Sequence, residues 1–389
     1  MPNAERANNF DLIRLFAAIE VIYIHAQDHL GAPPLRGIEG LVDMIPGVPI
    51  FFVVSGFLVT RSFVQNDGRV GRFALNRALR IYPGLWMNLL VITALIAATG
   101  SMTAAMIGPD FFKYQAGLFV FGSEIYGWLC SGFSYDFSPG HAFAHVPSGV
   151  LWTINVELGF YVLVPIVVCN PIRSRPRLQN AVIAVTAVGS LFASSVMTHA
   201  VKANPNAIST MLLVYGPLPY FWTFLIGAAI SLNWTRIRSL FEDRVFVWLS
   251  GYFAIFVFGV YAFGGVTLDL AKVRPFVAIE MLALAGTVIS FAYSHRGLAR
   301  ILRGQDLSYG LYLYHMQIVL ILAALGFHGS AWLWPAVYAG AAMAAALSWF
   351  GIERPALRLK QRLRRAPIVD ADLSDNGWPR SSALPTAQK

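Results

Sequence analysis

The sequence predicts an all-α, polytopic integral membrane protein of about ten transmembrane helices. Three observations carry that prediction. The chain is 57% hydrophobic and only 13% charged, with a mean hydropathy of +0.59. Apolar runs of roughly the twenty residues that cross a bilayer recur along its length. The basic residues also alternate in side. With the N-terminus inside, 23 of the 29 Lys and Arg fall in cytoplasmic segments or at Arg61 on their edge, as the positive-inside rule requires. The net charge of +9 is thereby explained by loops, and no nucleic-acid partner is expected. Cys130 and Cys169 lie in different kinds of segment, without the spacing of a disulfide framework or a zinc site.

The expected spans are approximately 10–29, 47–64, 82–99, 150–168, 180–198, 214–232, 245–264, 276–294, 307–325 and 332–351. The first, FDLIRLFAAIEVIYIHAQDH, carries Asp11, Arg14, Glu20 and His25. Ionisable groups in hydrocarbon are costly, so they face a protein interior or a watery cavity and mark function. Arg14 and His25 are eleven residues apart, which is about three turns and about 16 Å along a helix. They share one face as a polar track, whereas Glu20 points away from His25 and has no derivable role. The second span contains FFVVSGFLVT, with Ser55 and Gly56. Small residues there let helices approach, and the lack of a G-x-S-x-G turn disfavours a hydrolase-type nucleophile.

Before the third span, GRVGRFALNRALRIYP places Arg77 and Arg80 on one helical face. A loop lying on anionic lipid and a phosphate site are equal readings on the residues alone. Residues 100–149 form one long outer segment whose aromatics suit sugar stacking or interfacial anchoring. Lys113, Gln115, Glu124 and several glycines argue against an extra span from Phe111 to Leu129. His141 and His145 stand four apart, but HAFAH has no glutamate between them and follows Pro139-Gly140. That reads as a solvated loop, and no metal site is expected.

The fourth span, with LWTINVELGFY, puts Glu157 at the same outer depth as His25. His315, in SYGLYLYH, falls nearer the middle and suits a hydrogen bond between helices. Glu353 heads ERPAL near the inner arginines, and RLKQRLRR then predicts a short interfacial helix before a stretch expected to be disordered. The chain thus divides into a transmembrane domain at 8–357 and a basic, then disordered, cytoplasmic tail at 358–389.

Six blocks in order resemble the acyltransferase-3 family of bacterial membrane O-acyltransferases: FDLIRLFAAIEVIYIH, FFVVSGFL, RALRIYPGLW, LWTINVELGFY, SYGLYLYH and IERP. The resemblance covers about residues 8–357 and is to the stand-alone members, without a fused periplasmic hydrolase-like domain. It implies an inner-membrane enzyme with cytoplasmic termini. Such an enzyme moves an acyl group, usually acetyl, from cytosolic acyl-CoA to a hydroxyl of an exopolysaccharide, antigen or glycoside. No cofactor is expected to stay bound; acyl-CoA is the donor substrate. Under this reading Arg14, Arg77 and Arg80 meet the CoA phosphates, and the pantetheine arm follows the first span. His25 acts as general base or is transiently acylated. Glu157 orients the imidazole, with Asp28 as rival partner, and Asp11, Ser55, Gly56 and His315 support the site. A transporter or flippase for a glycan or small metabolite is the main rival reading, followed by an envelope assembly factor.

Overall fold

The computed structural model describes residues 8–37, 39–98, 106–133, 148–263, 275–294, 297–298, 302 and 305–365, and every regular element among them is helical. The chain opens with α1 (Phe10–Leu30), a short α2 (Glu39–Met44), α3 (Gly47–Gln65) and α4 (Val70–Ala98). A helical pair follows, α5 (Pro109–Phe121) and α6 (Glu124–Ser131). Next come α7 (Leu151–Val167), the single turn α8 (Asn170–Arg173), the long α9 (Pro176–Ala203) and α10 (Ile208–Val214). The remainder holds α11 (Phe221–Leu232), the turn α12 (Trp234–Ile237), α13 (Val245–Phe263) and α14 (Pro275–Tyr293), then α15 (Ser308–Ala324), α16 (Leu333–Ser348) and α17 (Arg354–Arg365).

Every expected span coincides with one of these helices except that at 214–232, which covers the end of α10 and all of α11. Five of the helices, α3, α4, α9, α13 and α14, are long and apolar enough to cross a membrane on their own, and a sixth stretch, Leu333–Leu359, reaches that length by running from α16 into the start of α17. The span expected at 214–232 is not straight. Pro217 and Pro219 interrupt it, and α10 meets the helical stretch Leu218–Leu232 at a 41° bend. Two others, α7 and α15, are apolar but only 17 residues long. The 21 residues of α1 are long enough to cross but carry the charges noted above.

Helices in lipid gain little from hiding apolar surface, so close backbone approach and polar bridges decide how they assemble. The tightest pair is α3 with α11. A Cβ on Gly56 would stand 2.0 Å from the Phe224 carbonyl oxygen, and one on Gly227 would stand 2.1 Å from that of Val53. Gly56 therefore serves this crossing. The start of α1 is tied to the end of α14, where the Asn9 amide donates to the carbonyls of Phe291 (3.0 Å) and Ser294 (2.6 Å). Asn88 of α4 donates to Leu313 of α15 at 2.9 Å. Glu20 proves structural: its Oε2 accepts from Gly47 N at 2.8 Å, satisfying one of the open donors at the first turn of α3.

Between Pro109 and Ser131 the outer segment is helical, yet neither of its helices is long enough to be an extra span. The 13 residues of α5 and the 8 of α6 are joined at Gly122, whose φ of +68° is left-handed. Tyr82 and Trp86 of α4 anchor this pair through the carbonyls of Val120 and Phe119. Glu124 accepts from Ser148 N at 2.9 Å, and burial pushes its carboxyl up to about 8. His141 and His145 lie outside the described residues. At the far end of the chain, α16 runs into a π-helical turn (Trp349–Glu353) that carries Glu353 inward. The basic segment that follows is helical to Arg365.

Candidate functional site

Three polar layers follow one another through the bundle. The first is a cluster of arginines and carboxylates where α1, α4, α15 and the end of α16 converge. Arg14 Nη1 lies 2.8 Å from Asp306 Oδ2, and Arg14 Nη2 lies 2.5 Å from Asp11 Oδ1. Arg80 Nη2 reaches the same Asp306 oxygen at 2.5 Å, and its Nη1 stands 3.5 Å from Glu353 Oε2. Asp306 sits just ahead of α15, outside the span. Burial alone would raise its carboxyl, but Arg14, Arg80 and the Ser308 hydroxyl pull it down to about 2. Arg77 differs. It reaches the Ser62 hydroxyl at 3.2 Å and stacks over the rings of Phe73 and Tyr161, each at 5.8 Å, with no carboxylate partner among the described residues.

The second layer is a cavity of about 110 Å³ that opens among these arginines. Arg14, Arg77 and Arg80 line one part of it, and Ser55, Glu157 and Tyr161 another. Glu157 Oε1 accepts from the Ser55 hydroxyl at 2.8 Å and from Tyr161 at 2.6 Å. Phe51 and Tyr312 also line it, with rings 5.5 Å apart, and the Tyr312 hydroxyl is fixed by Thr153 and the Val150 carbonyl.

The third layer is a pair of histidines, which meets the cavity lining where the Tyr312 and His315 rings stand 6.0 Å apart. His25 Nδ1 lies 3.0 Å from His315 Nε2, and the rings stack at 5.1 Å and 27°. His315 is fully buried, and its Nδ1 lies 3.1 Å from the Leu311 carbonyl oxygen. A carbonyl can only accept, so Nδ1 of His315 carries the proton and its Nε2 is the acceptor. With both rings neutral, His25 Nδ1 must donate to it. The lone pair of His25 is then left on Nε2, the atom a general base requires. His25 itself is partly exposed, while Asp28 and His29 near it are exposed.

Several expectations change here. Glu157, expected at the depth of His25, instead bonds to Ser55 and Tyr161 and faces the arginine cavity. Asp28 makes no hydrogen bond to His25, whose partner is His315. Among the residues of α1, only Arg14 lines the cavity, so the open path runs between α3, α4, α7 and α15 rather than along the first span. Asp11 pairs with Arg14. The Ser55-Gly56 pair divides its work, with the serine facing the cavity and the glycine the α11 crossing. Sequence reading missed Asp306, although an acid beside a basic edge was a usable signal. It also missed Tyr161, one turn beyond Glu157 on the same face. Nothing in the sequence paired Tyr312 with Phe51 across two spans.

The chain is similar to known acyltransferases. Residues 8–353 match the acyltransferase domain of the acyltransferase-3 family. The chain is 37% identical to "Nodulation protein 10" of Rhizobium leguminosarum bv. viciae, over 92% of this chain and 95% of the relative. It is 26% identical to "Exopolysaccharide production protein ExoZ" of Rhizobium meliloti, over 82% of this chain and 91% of that one. With the "O-acetyl transferase" of Shigella phage Sf6 the identity is 23%, over 84% and 89%. No solved structure matches. The chain belongs to this acyltransferase family and is a multi-pass membrane O-acyltransferase, which sets the transporter reading aside.

Proposed function

We propose that this acyltransferase moves an acetyl group from cytosolic acetyl-CoA to a hydroxyl of a carbohydrate at the opposite face of the bacterial inner membrane. Both termini and the arginine layer face the cytosol under this reading, in keeping with the distribution of basic residues. The relatives named for exopolysaccharide production and O-acetyl transfer support a carbohydrate acceptor. The single observation that carries the reading is the alignment of three arginines, a cavity and an imidazole with an open Nε2 through one bundle.

CoA brings phosphates, and Arg77 is the cation readiest to receive them, because Arg14 and Arg80 already share Asp306. The thioester arm enters the cavity past Glu157, Ser55 and Tyr161, whose mutual hydrogen bonds keep the polar wall satisfied. The Phe51–Tyr312 contact must open for the carbonyl to reach His25. Nε2 of His25 then takes the proton of the acceptor hydroxyl as its oxygen bonds to the thioester carbon. The carbon–sulfur bond breaks, the imidazolium returns its proton to the departing sulfur, and His315 holds the ring throughout. The test is mass spectrometry of surface and secreted glycans with and without the gene. Loss of acetyl increments is expected; an unchanged glycan profile contradicts the proposed reaction.

A further inference from the structure

A second set of arginines lies outside this site. Arg175 and Arg177 at the start of α9 and Arg236 in α12 are exposed and line one cleft. None has an ion pair or a side-chain hydrogen bond among the described residues. The cleft lies at the same end of the bundle as the arginine layer, since neighbouring Arg173 donates to the Val64 carbonyl near the end of α3. One turn deeper, Asn180 of α9 and Asn233 exchange amide hydrogen bonds at 3.0 and 3.4 Å. Past these amides begins an apolar groove of about 720 Å³ between α9, α11, α13 and α14, lined by Ile183, Leu225, Ile279 and Ala283 among others. Gly286 in that groove leaves room for the Trp248 indole, which a Cβ would meet at 2.0 Å.

From the end of the bundle inward the order is three cations, two amides and an apolar trough. The positive-inside rule accounts for cations at this end. It does not account for their convergence from two distant segments on a cleft that stands one turn from a groove. We propose that the cleft and groove together bind one anionic diacyl phospholipid. Arg175, Arg177 and Arg236 hold its headgroup phosphate, the Asn180–Asn233 amides stand at its ester level, and an acyl chain occupies the groove. Charge complementarity selects this occupant. A second copy docked through the same patch in a two-fold pair would set these cations against themselves. A free phosphate would leave the trough unfilled.

The test is lipid retention by the full-length protein in nanodiscs of equal phosphatidylglycerol and phosphatidylcholine, read by native mass spectrometry. Phosphatidylglycerol should be enriched by about a hundredfold, at about fivefold for each of three arginines. The R175Q/R177Q/R236Q variant, altered only at exposed positions, should lose that enrichment. So should A283W, which obstructs the groove and leaves the arginines in place. Millimolar glycerol phosphate should displace nothing. Equal retention of the two lipids, enrichment that survives the triple variant, displacement by glycerol phosphate, or a dimer joined through this groove would each overturn the proposal. Because the readout is bound lipid, its failure leaves the acyl-transfer reading untouched.

Discussion

The arginine layer and the histidine layer meet the cost of burying polar groups in opposite ways. In the first, Arg14 and Arg80 converge on Asp306, with Asp11 and Glu353 at the flanks, so charge is balanced by charge. In the second, two imidazoles satisfy each other and a backbone carbonyl without any ion pair. A balanced ionic cluster suits an entrance that must hold its shape until an anion arrives. A neutral imidazole chain suits a group that must take up and return a proton. The lesson is that the conspicuous arginines are not equivalent. Arg14 and Arg80 are held by Asp306, whereas Arg77 has no carboxylate partner among the described residues.

Breaking the histidine layer should have the largest effect. His25→Ala should lower acyl transfer by about 10²- to 10⁴-fold at normal protein level, the usual worth of a positioned general base. In the arginine layer, Arg80→Ala leaves Asp306 and Glu353 short of a partner. It should cost about 3–5 kcal/mol, read as a lower unfolding temperature in detergent. Arg77→Ala should spare stability and raise the acetyl-CoA KM by about tenfold or more, the worth of a charge-assisted hydrogen bond. Equal effects of the two substitutions on stability would erase the distinction between them.

His315 tests positioning. His315→Phe should lower kcat by about ten- to a hundredfold with little change in KM, the loss expected when a functional imidazole loses its orienting partner. His315→Gln, whose amide oxygen can accept from His25 Nδ1, should recover much of that loss. Asp306 supplies a pH test. Its folded carboxyl lies at about 2, below its ordinary 3.8. The stabilisation, about 2 kcal/mol, is therefore present above pH 3.8 and lost as pH falls through about 2. Asp306→Asn should flatten that acid limb. Smallest of all, Glu20→Gln should cost about 1 kcal/mol, the worth of a helix cap, with unchanged kcat.

Much of this was legible in the sequence because a bilayer imposes length and apolarity on each crossing element. The bend at Pro217 and Pro219 needed only the rule that proline interrupts a helix, yet hydropathy hid it. Arg14, Arg77 and Arg80 declared themselves as charges at a membrane edge, and they do gather in one layer. Depth along a span was a weaker guide. It placed Glu157 level with His25 but said nothing of rotation about the helix, and rotation turns that carboxylate toward Ser55 and Tyr161. The pairing of His25 with His315 spans 290 positions of chain and depends on which helices touch. Neither periodicity nor spacing encodes that.

In the proposed reaction donor and acceptor meet this protein from opposite faces, with the proton handled at His25. Sealed inside-out membrane vesicles test it most directly, with labelled acetyl-CoA outside and the carbohydrate acceptor trapped within. Label should appear on the trapped carbohydrate with the wild-type protein and none above background with His25→Ala. Labelling confined to acceptor added on the CoA side, or undiminished labelling with His25→Ala, would contradict it.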